Sequence, residues 1–441
     1  MKHNSVFRYQ GGNICQGIKM PDKKTKAHLC HLRNGIPIVL CDSDYQTCRI
    51  LVNLEFGAQD EEKHEYGATH FIEHLLGQSV TGEKSLGTLK KKIETLGGDI
   101  GLYTTYEKIG FFVNTLPEHL IKVISIIAPQ IMTPVFDTEI IEQEKNVILQ
   151  EYRRYTINNH SYLSRQEHLF QDTGLGHCIL GAPDIIRTFT AETLSKYYSS
   201  HLSNDRCSIV IVGPVLDVDK LLSVLNEHFG SMPCVGYKHK SFSITPTFFH
   251  DNIPDLKNIK LTLGFAAEKG VTRRQKIANG VFRKILQDRL IDMLRYKNGF
   301  VYSVQCSTLG TNDTRLYTIE TEFSPKHIES VISTIVSVCR NILTENPITT
   351  AELSTAKNTI RFHNARLIDS IDKRCDLYAQ YMLHYRKLYD FDTEAQDLDS
   401  LDISDVIAAG RTLLCSGLSV VTQGGAYQFD IIDYWLKNFN V

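Results

Sequence analysis

The chain repeats itself once. Pro117-Glu118-His119-Leu120 is echoed by Pro325-Lys326-His327-Ile328, and Val123-Ile124-Ser125 by Val331-Ile332-Ser333, both at an offset of 208 residues. The β-rich stretch ahead of each copy aligns at the same offset, 108–115 with 316–323. In a chain of 441 residues, a period of about half the length argues against a solenoid of short repeats and predicts two copies of one unit. Two domains also suit the length, which exceeds what one hydrophobic core ordinarily serves.

Each copy alternates strands and helices. Runs of β-branched and aromatic residues predict strands over 36–41, 49–56, 108–115 and 207–215. Apolar residues at helical spacing predict helices over 67–77, 85–96, 117–132, 137–155 and 191–200. Pro117 suits a first helical turn, and Gly97-Gly98 stops the helix before it. From 231 to 257 helical periodicity fades, while Pro233, Pro246, Pro254 and a basic cluster at 238–240 accumulate. The pattern then restarts with a strand over 259–265, a long helix over 273–295, strands over 301–307 and 315–323, and further helices. The expected fold is α+β: an N-terminal domain, 1–232, and a homologous C-terminal domain, 258–441, joined by a linker, 233–257. Each domain is expected to be a mostly antiparallel sheet with helices packed on one face.

Composition narrows the function. Lys and Arg number 48 against 50 Asp and Glu, a net charge of −2, which disfavours a dedicated nucleic-acid binder. No run approaches 18 apolar residues, so no membrane-spanning helix is expected. Residues 1–17 hold no apolar stretch of secretory type, so no signal peptide is expected. The eleven cysteines are scattered, odd in number and without a C-x-x-C pair, which fits a reducing, cytoplasmic location better than a disulfide framework.

The chemistry concentrates in Gly67-Ala68-Thr69-His70-Phe71-Ile72-Glu73-His74-Leu75-Leu76, which contains H-x-x-E-H. On a helix, His70 and His74 lie about 40° apart and Glu73 about 60° to the other side of His70, so all three share one face. Two neutral imidazoles one turn apart can reach one tetrahedral zinc ion, and the adjacent carboxylate can act as a base toward water activated there. With 17 His and 50 acids, chance supplies fewer than about 0.1 such patterns per chain. A catalytic zinc takes a third protein ligand. On the 137–155 helix Glu144 and Glu151 lie seven residues apart, hence on one face, and spacing does not choose between them. Glu139 and Glu142 read as solvent-facing acids. His160, His168 and His177 follow at irregular spacing and read as structural, and Trp435 as C-terminal packing.

These residues resemble the M16 metallopeptidases, the inverzincin family of pitrilysin, insulin-degrading enzyme and mitochondrial processing peptidase, in its half-length M16B form. That family follows H-x-x-E-H with roughly 76 residues and a glutamate, and 76 residues separate His74 from Glu151 here. The resemblance therefore implies Glu151 as third ligand and Glu144 as the acid that orients a ligand imidazole. Glu94, Gly97-Gly98, Thr104 and Glu107 resemble the family's E-x-x-G-G-x-x-N-A-x-T-x-x-E stretch, and 179–198 a further landmark. Leu294-Arg295, Gly299 and Tyr302-Ser303 look like its L-R-x-x-x-G-x-x-Y-S, which implies substrate-binding roles for Arg295 and Tyr302. Two departures stand out: the family's Asn-Ala reads Gly101-Leu102, and its F-K-G reads Gly77-Gln78-Ser79.

The resemblance implies a zinc endopeptidase with one zinc per chain, Glu73 as general base and an extended peptide substrate pairing near 98–105. It also implies a clamshell chamber made with a second copy or a related chain, hence a homodimer or heterodimer. A non-catalytic scaffold or partner subunit is the alternative from another class, and a leader-peptide maturation protease the narrower enzymatic one.

Overall fold

The computed structural model describes residues 27–78, 87–236, 240, 242–253, 256–266, 271–345 and 347–439. The 1–17 stretch, Cys15, Ser79, Ser85, Lys238 and Pro254 lie outside them. The first half begins with β1 (Ala27–His31), β2 (Pro37–Cys41) and β3 (Cys48–Leu54). Helices α1 (Ala68–Gln78) and α2 (Thr88–Thr95) lead to the hairpin β4 (Asp99–Thr104) and β5 (Ile109–Thr115). Then come α3 (Leu120–Met132), α4 (Thr138–Leu169), α5 (Pro183–Ile186), α6 (Ala191–His201), β6 (Cys207–Val212) and α7 (Val218–Phe229). The second half opens with β7 (Phe248–Asn252), β8 (Ile259–Ala266), α8 (Arg273–Ile291), β9 (Val301–Gly310) and β10 (Arg315–Phe323). It ends with α9 (Ile328–Leu343), α10 (Thr350–Ile368), α11 (Ile371–Tyr385), α12 (Phe391–Ser400), α13 (Ile403–Leu414), β11 (Leu418–Gly424) and α14 (Ile431–Asn438).

The two sheets share one topology. The first runs β1-β2-β6-β3-β5-β4 and the second β7-β11-β8-β10-β9. Setting β2 on β7, β6 on β11, β3 on β8, β5 on β10 and β4 on β9 matches every neighbour and every sense. The β2–β6 and β7–β11 pairs are parallel; the other pairs of each sheet are antiparallel. The fold is thus α+β, with two mostly antiparallel sheets and their helices. Single 3₁₀ turns at Pro117–His119 and Pro325–His327 introduce α3 and α9 at the offset read from the sequence.

The chain divides into two compact units that exchange segments. One unit holds residues up to Asn158, His177–Lys240 and Arg366–Tyr389; the other holds Asn159–Gly176, Ser241–Ala365 and the chain from Asp390. At the offset of 208, Asn159 falls on Leu367 and Gly176 on His384, so the exchanged segments are themselves counterparts. Helix α4 passes between units at Asn159, where φ and ψ of −121° and 21° break its regularity. The sequence marks no such exchange, because each crossing segment is an amphipathic helix wherever it docks.

In the first unit, β3 is buried along its whole length because both faces are covered. Ile50, Val52 and Leu54 face a core with Phe71, Ile72, Ile124 and Ile127 of α1 and α3. The other sheet face meets α11: Arg49 of β3 bonds Asp372 at 2.9 Å, and the Cys375 thiol lies 3.8 Å from the Val210 carbonyl of β6. In the second unit, Leu261, Leu263 and Phe265 face a core with Phe282, Ile332 and Trp435. Its opposite sheet face takes Ser164 on Asp251 at 2.7 Å and Arg165 on Glu320. Local punctuation agrees: Thr190 with Thr193 and Thr272 with Gln275 form capping boxes that start α6 and α8.

Some boundaries differ from expectation. The 233–257 linker contains β7, which pairs with β11 from Phe248↔Val420 to Asn252↔Gly424. Five residues stabilised by a partner about 170 positions away leave no local period to read. The predicted helix 273–295 stops at Ile291 and gives way to a π-helical turn, Asp292–Lys297. Helix α4 runs to Leu169, well past 155. No described helix is long and apolar enough to cross a membrane. The described cysteines are free thiols, most of them buried. Trp435 is buried against Phe265 and Phe439.

Candidate metal centre

Helix α1 presents the motif. Phe71, Ile72, Leu75 and Leu76 bury one side in the core, which turns His70, Glu73 and His74 toward α4 and β4. On α4 the inward stripe runs Ile141, Glu144, Ile148, Glu151, while Glu139, Glu142 and Val147 are exposed. Glu144 and Glu151 therefore ride a stripe anchored by two buried isoleucines.

The structure brings His70, His74 and Glu151 together, with one potential ligand atom of each lying within 4.8 Å of the others. Glu151 Oε2 is 3.4 Å from His74 Nε2 and 3.8 Å from His70 Nε2. Zinc bonds near 2.0–2.2 Å at tetrahedral angles separate donors by about 3.3–3.6 Å. The chemistry of the set, two imidazoles and one carboxylate, suits the same ion. The other nitrogen of His74, Nδ1, lies 2.9 Å from the buried Glu144 carboxylate. That contact fixes the ring so that Nε2 faces Glu151. Glu144 is thus placed behind the trio and Glu151 within it, the division spacing alone left open.

The two imidazoles differ in protonation. Burial, aided by the charge of His74, takes His70 down to about 3, so its imidazole is neutral. Burial pulls His74 down too, but the bond to Glu144 and the charges of Glu73, Glu144 and Glu151 outweigh it and raise its pKa. Glu73 is raised by burial and by the charge of Glu151, against the pull of His74 and Thr104. The Thr104 hydroxyl donates to Glu73 Oε2 at 3.1 Å.

Arg295 and Tyr302 belong to the second unit. Arg295 sits in the π-helical turn and Tyr302 near the start of β9, 81% exposed. The guanidinium carbon lies 4.9 Å from the Tyr302 ring centre and 5.4 Å from that of Tyr296. Of the histidines read as structural, His168 stacks on Phe249 and His177 pairs with Glu61.

Two contacts went beyond the sequence reading. Thr104 was named there only as part of the M16-like stretch, with no role; its hydroxyl bonds Glu73. Glu61 accepts backbone bonds at the start of α1. Its signal was a helix with no acidic residue in its first turn and a carboxylate upstream.

The fold and this site define a chain of two similarly built sheets with a His-His-Glu cluster. The chain belongs to the M16 peptidase family. The model described as insulinase (peptidase family M16) matches residues 38–182, and that described as peptidase M16 inactive domain matches 188–360. The chain is 23% identical over 414 residues to the uncharacterized zinc protease YmxG of Bacillus subtilis (strain 168), covering 91% of this chain and 98% of that one. It is 22% identical over 375 residues to the mitochondrial-processing peptidase subunit beta of Pongo abelii, 81% and 76% of the two chains. A protease from Helicobacter pylori shares the fold with a TM-score of 0.80 at 18% identity, over 91% of this chain and 99% of that one.

Proposed function

We propose that this chain is a zinc-dependent endopeptidase acting on extended peptides. The observation that carries the reading is the convergence of His70, His74 and Glu151, with Glu73 beside them. His70, His74 and Glu151 would hold one zinc ion per chain. When bound, the ion supplies Lewis acidity toward a peptide carbonyl and toward water. Glu73 is the general base: its Oε2 accepts from Thr104, which leaves Oε1 to take the proton of the attacking water and return it to the leaving amine. A carboxyl raised by burial suits that exchange near neutral pH. Glu144 keeps the His74 ring in register.

The peptide would add as a strand along β4, which among the described residues lies at the edge of its sheet beside β5. Arg295 and Tyr302, from the C-terminal domain beginning near 258, would grip the substrate; the N-terminal domain to 232 carries the metal. The working form is a dimer, of two copies or with a related chain, and the likeness to a protein named as a subunit favours the second arrangement. The free thiols among the described residues support a cytoplasmic setting. Replacing Glu73 with Gln should abolish hydrolysis of a quenched peptide library while zinc stays bound. Undiminished turnover by that variant would contradict the assignment.

A further inference from the structure

Helix α1 opens without an acidic residue in its first turn, yet two backbone donors at its start are satisfied by a side chain. The amide N–H of Gly67 donates to Glu61 Oε2 and that of Thr69 to Glu61 Oε1, both at 2.8 Å. One carboxylate therefore spans two donors of the turn that carries His70. The Glu61 side chain is fully buried, and its other contact is His177 Nε2, 3.1 Å from Oε2. Among the described residues His177 Nδ1 has no partner, so Nε2 is the nitrogen that meets the carboxylate. The imidazole is held in turn. Tyr66 stacks on it at 3.8 Å with planes 5° apart, and the Tyr106 hydroxyl donates to the His177 carbonyl at 2.8 Å.

The backbone below is equally constrained. Gly67 has φ of +97°, and a Cβ there would lie 2.8 Å from Gly181 Cα. Gly181 has φ of +88°, and a Cβ there would lie 2.4 Å from the Tyr66 carbonyl oxygen. The loop carrying His177 thus crosses the start of α1 at glycine-only distance.

We infer that Glu61 and His177 are positioning residues for the metal site: a buried carboxylate–imidazole clamp that sets the phase of the first turn of α1 and so aims His70. The inference rests on the zinc reading of His70, His74 and Glu151. A neutral amide cannot replace the carboxylate, because its NH₂ would face either the Thr69 N–H or the Gly67 N–H together with the imidazole. A shorter Asp cannot span Gly67 and Thr69 together. At His177 the chemistry is less demanding, since a glutamine can offer a donor from a similar position.

The test uses the full chain, with zinc affinity measured by competition against a chelator and Co²⁺ absorption as a readout of ligand geometry. Glu61→Gln and His177→Ala are expected to bind zinc roughly ten-fold more weakly or worse and to show altered Co²⁺ bands, with His177→Gln recovering most of the loss. A purely structural clamp would lower the melting temperature without moving either readout of the folded protein. Should Glu61→Gln fail to fold, the His177 pair carries the test alone. Unchanged affinity and unchanged Co²⁺ spectra in folded His177→Ala would overturn the clamp. Absence of zinc uptake by the unaltered chain would instead overturn the metal reading beneath it.

Discussion

His74 Nδ1 lies 2.9 Å from Glu144 Oε2, and that bond does two things at once. It orients the ring so that Nε2 faces Glu151, and it helps hold the imidazole's pKa above its ordinary value against the opposing effect of burial. A metal at Nε2 must displace the second proton of the charged ring, whereas the Nδ1–H stays on Glu144.

Glu144→Gln is therefore expected to weaken zinc binding by about 10–100-fold at neutral pH through loss of ring orientation. It should also change the pH dependence. In the unaltered protein, affinity falls as pH drops through the raised pKa of His74, that is, beginning above the ordinary 6.5. In the variant the fall begins at lower pH, because the raising contact is gone. Zinc competition titrations across pH 5–9 check both effects.

Gly101 occupies the position where the M16 pattern carries Asn. A Cβ there would lie 2.3 Å from Phe112 Cζ, and the Phe112 ring is itself capped by the Arg49 guanidinium at 3.9 Å. The ring fills the space a side chain would need. Gly101→Ala is expected to destabilise the protein by about 1–3 kcal/mol, and Phe112→Ala in the same chain to return part of that loss. A double-mutant cycle in urea measures the coupling.

Glu352, in the second unit, shows the sign of a pH effect. Arg289 meets it with two bonds, at 2.7 and 2.9 Å, and with Thr349 holds its pKa down to about 2 against partial burial. The folded pKa lies below the ordinary 4.5, so the stabilisation is fully present above 4.5 and is lost as pH falls toward 2. Glu352→Gln should cost about 1–2 kcal/mol at pH 7, allowing for the group's partial exposure. The difference from the unaltered protein should shrink below pH 4.5 in denaturant titrations.

What could be read in advance followed from local patterns. The 208-residue echo marked the duplication because Pro117 and Pro325 open the same 3₁₀ turn into the same kind of helix. The His-His-Glu cluster was legible as a candidate because His70 and His74 share one turn, and because the M16 pattern spaces Glu151 from them. Strand β7 was not legible, since its stability comes from β11 rather than from five residues of weak character. Nor was the exchange of 159–176 and 366–389, since an amphipathic helix does not state which sheet it covers. The roles of Thr104, through its bond to Glu73, and of Glu61, through Gly67, Thr69 and His177, depend on folded contacts that no spacing rule announces.

The central claim is that two imidazoles of α1 and the Glu151 carboxylate of α4 grip one zinc ion. Zinc content of the purified chain, measured beside His70→Ala, His74→Ala and Glu151→Gln, tests it most directly. The account predicts one zinc per unaltered chain and severe loss in each variant, with all variants still folded. A Glu151→Gln protein that retains a full equivalent of zinc at unchanged affinity would contradict it.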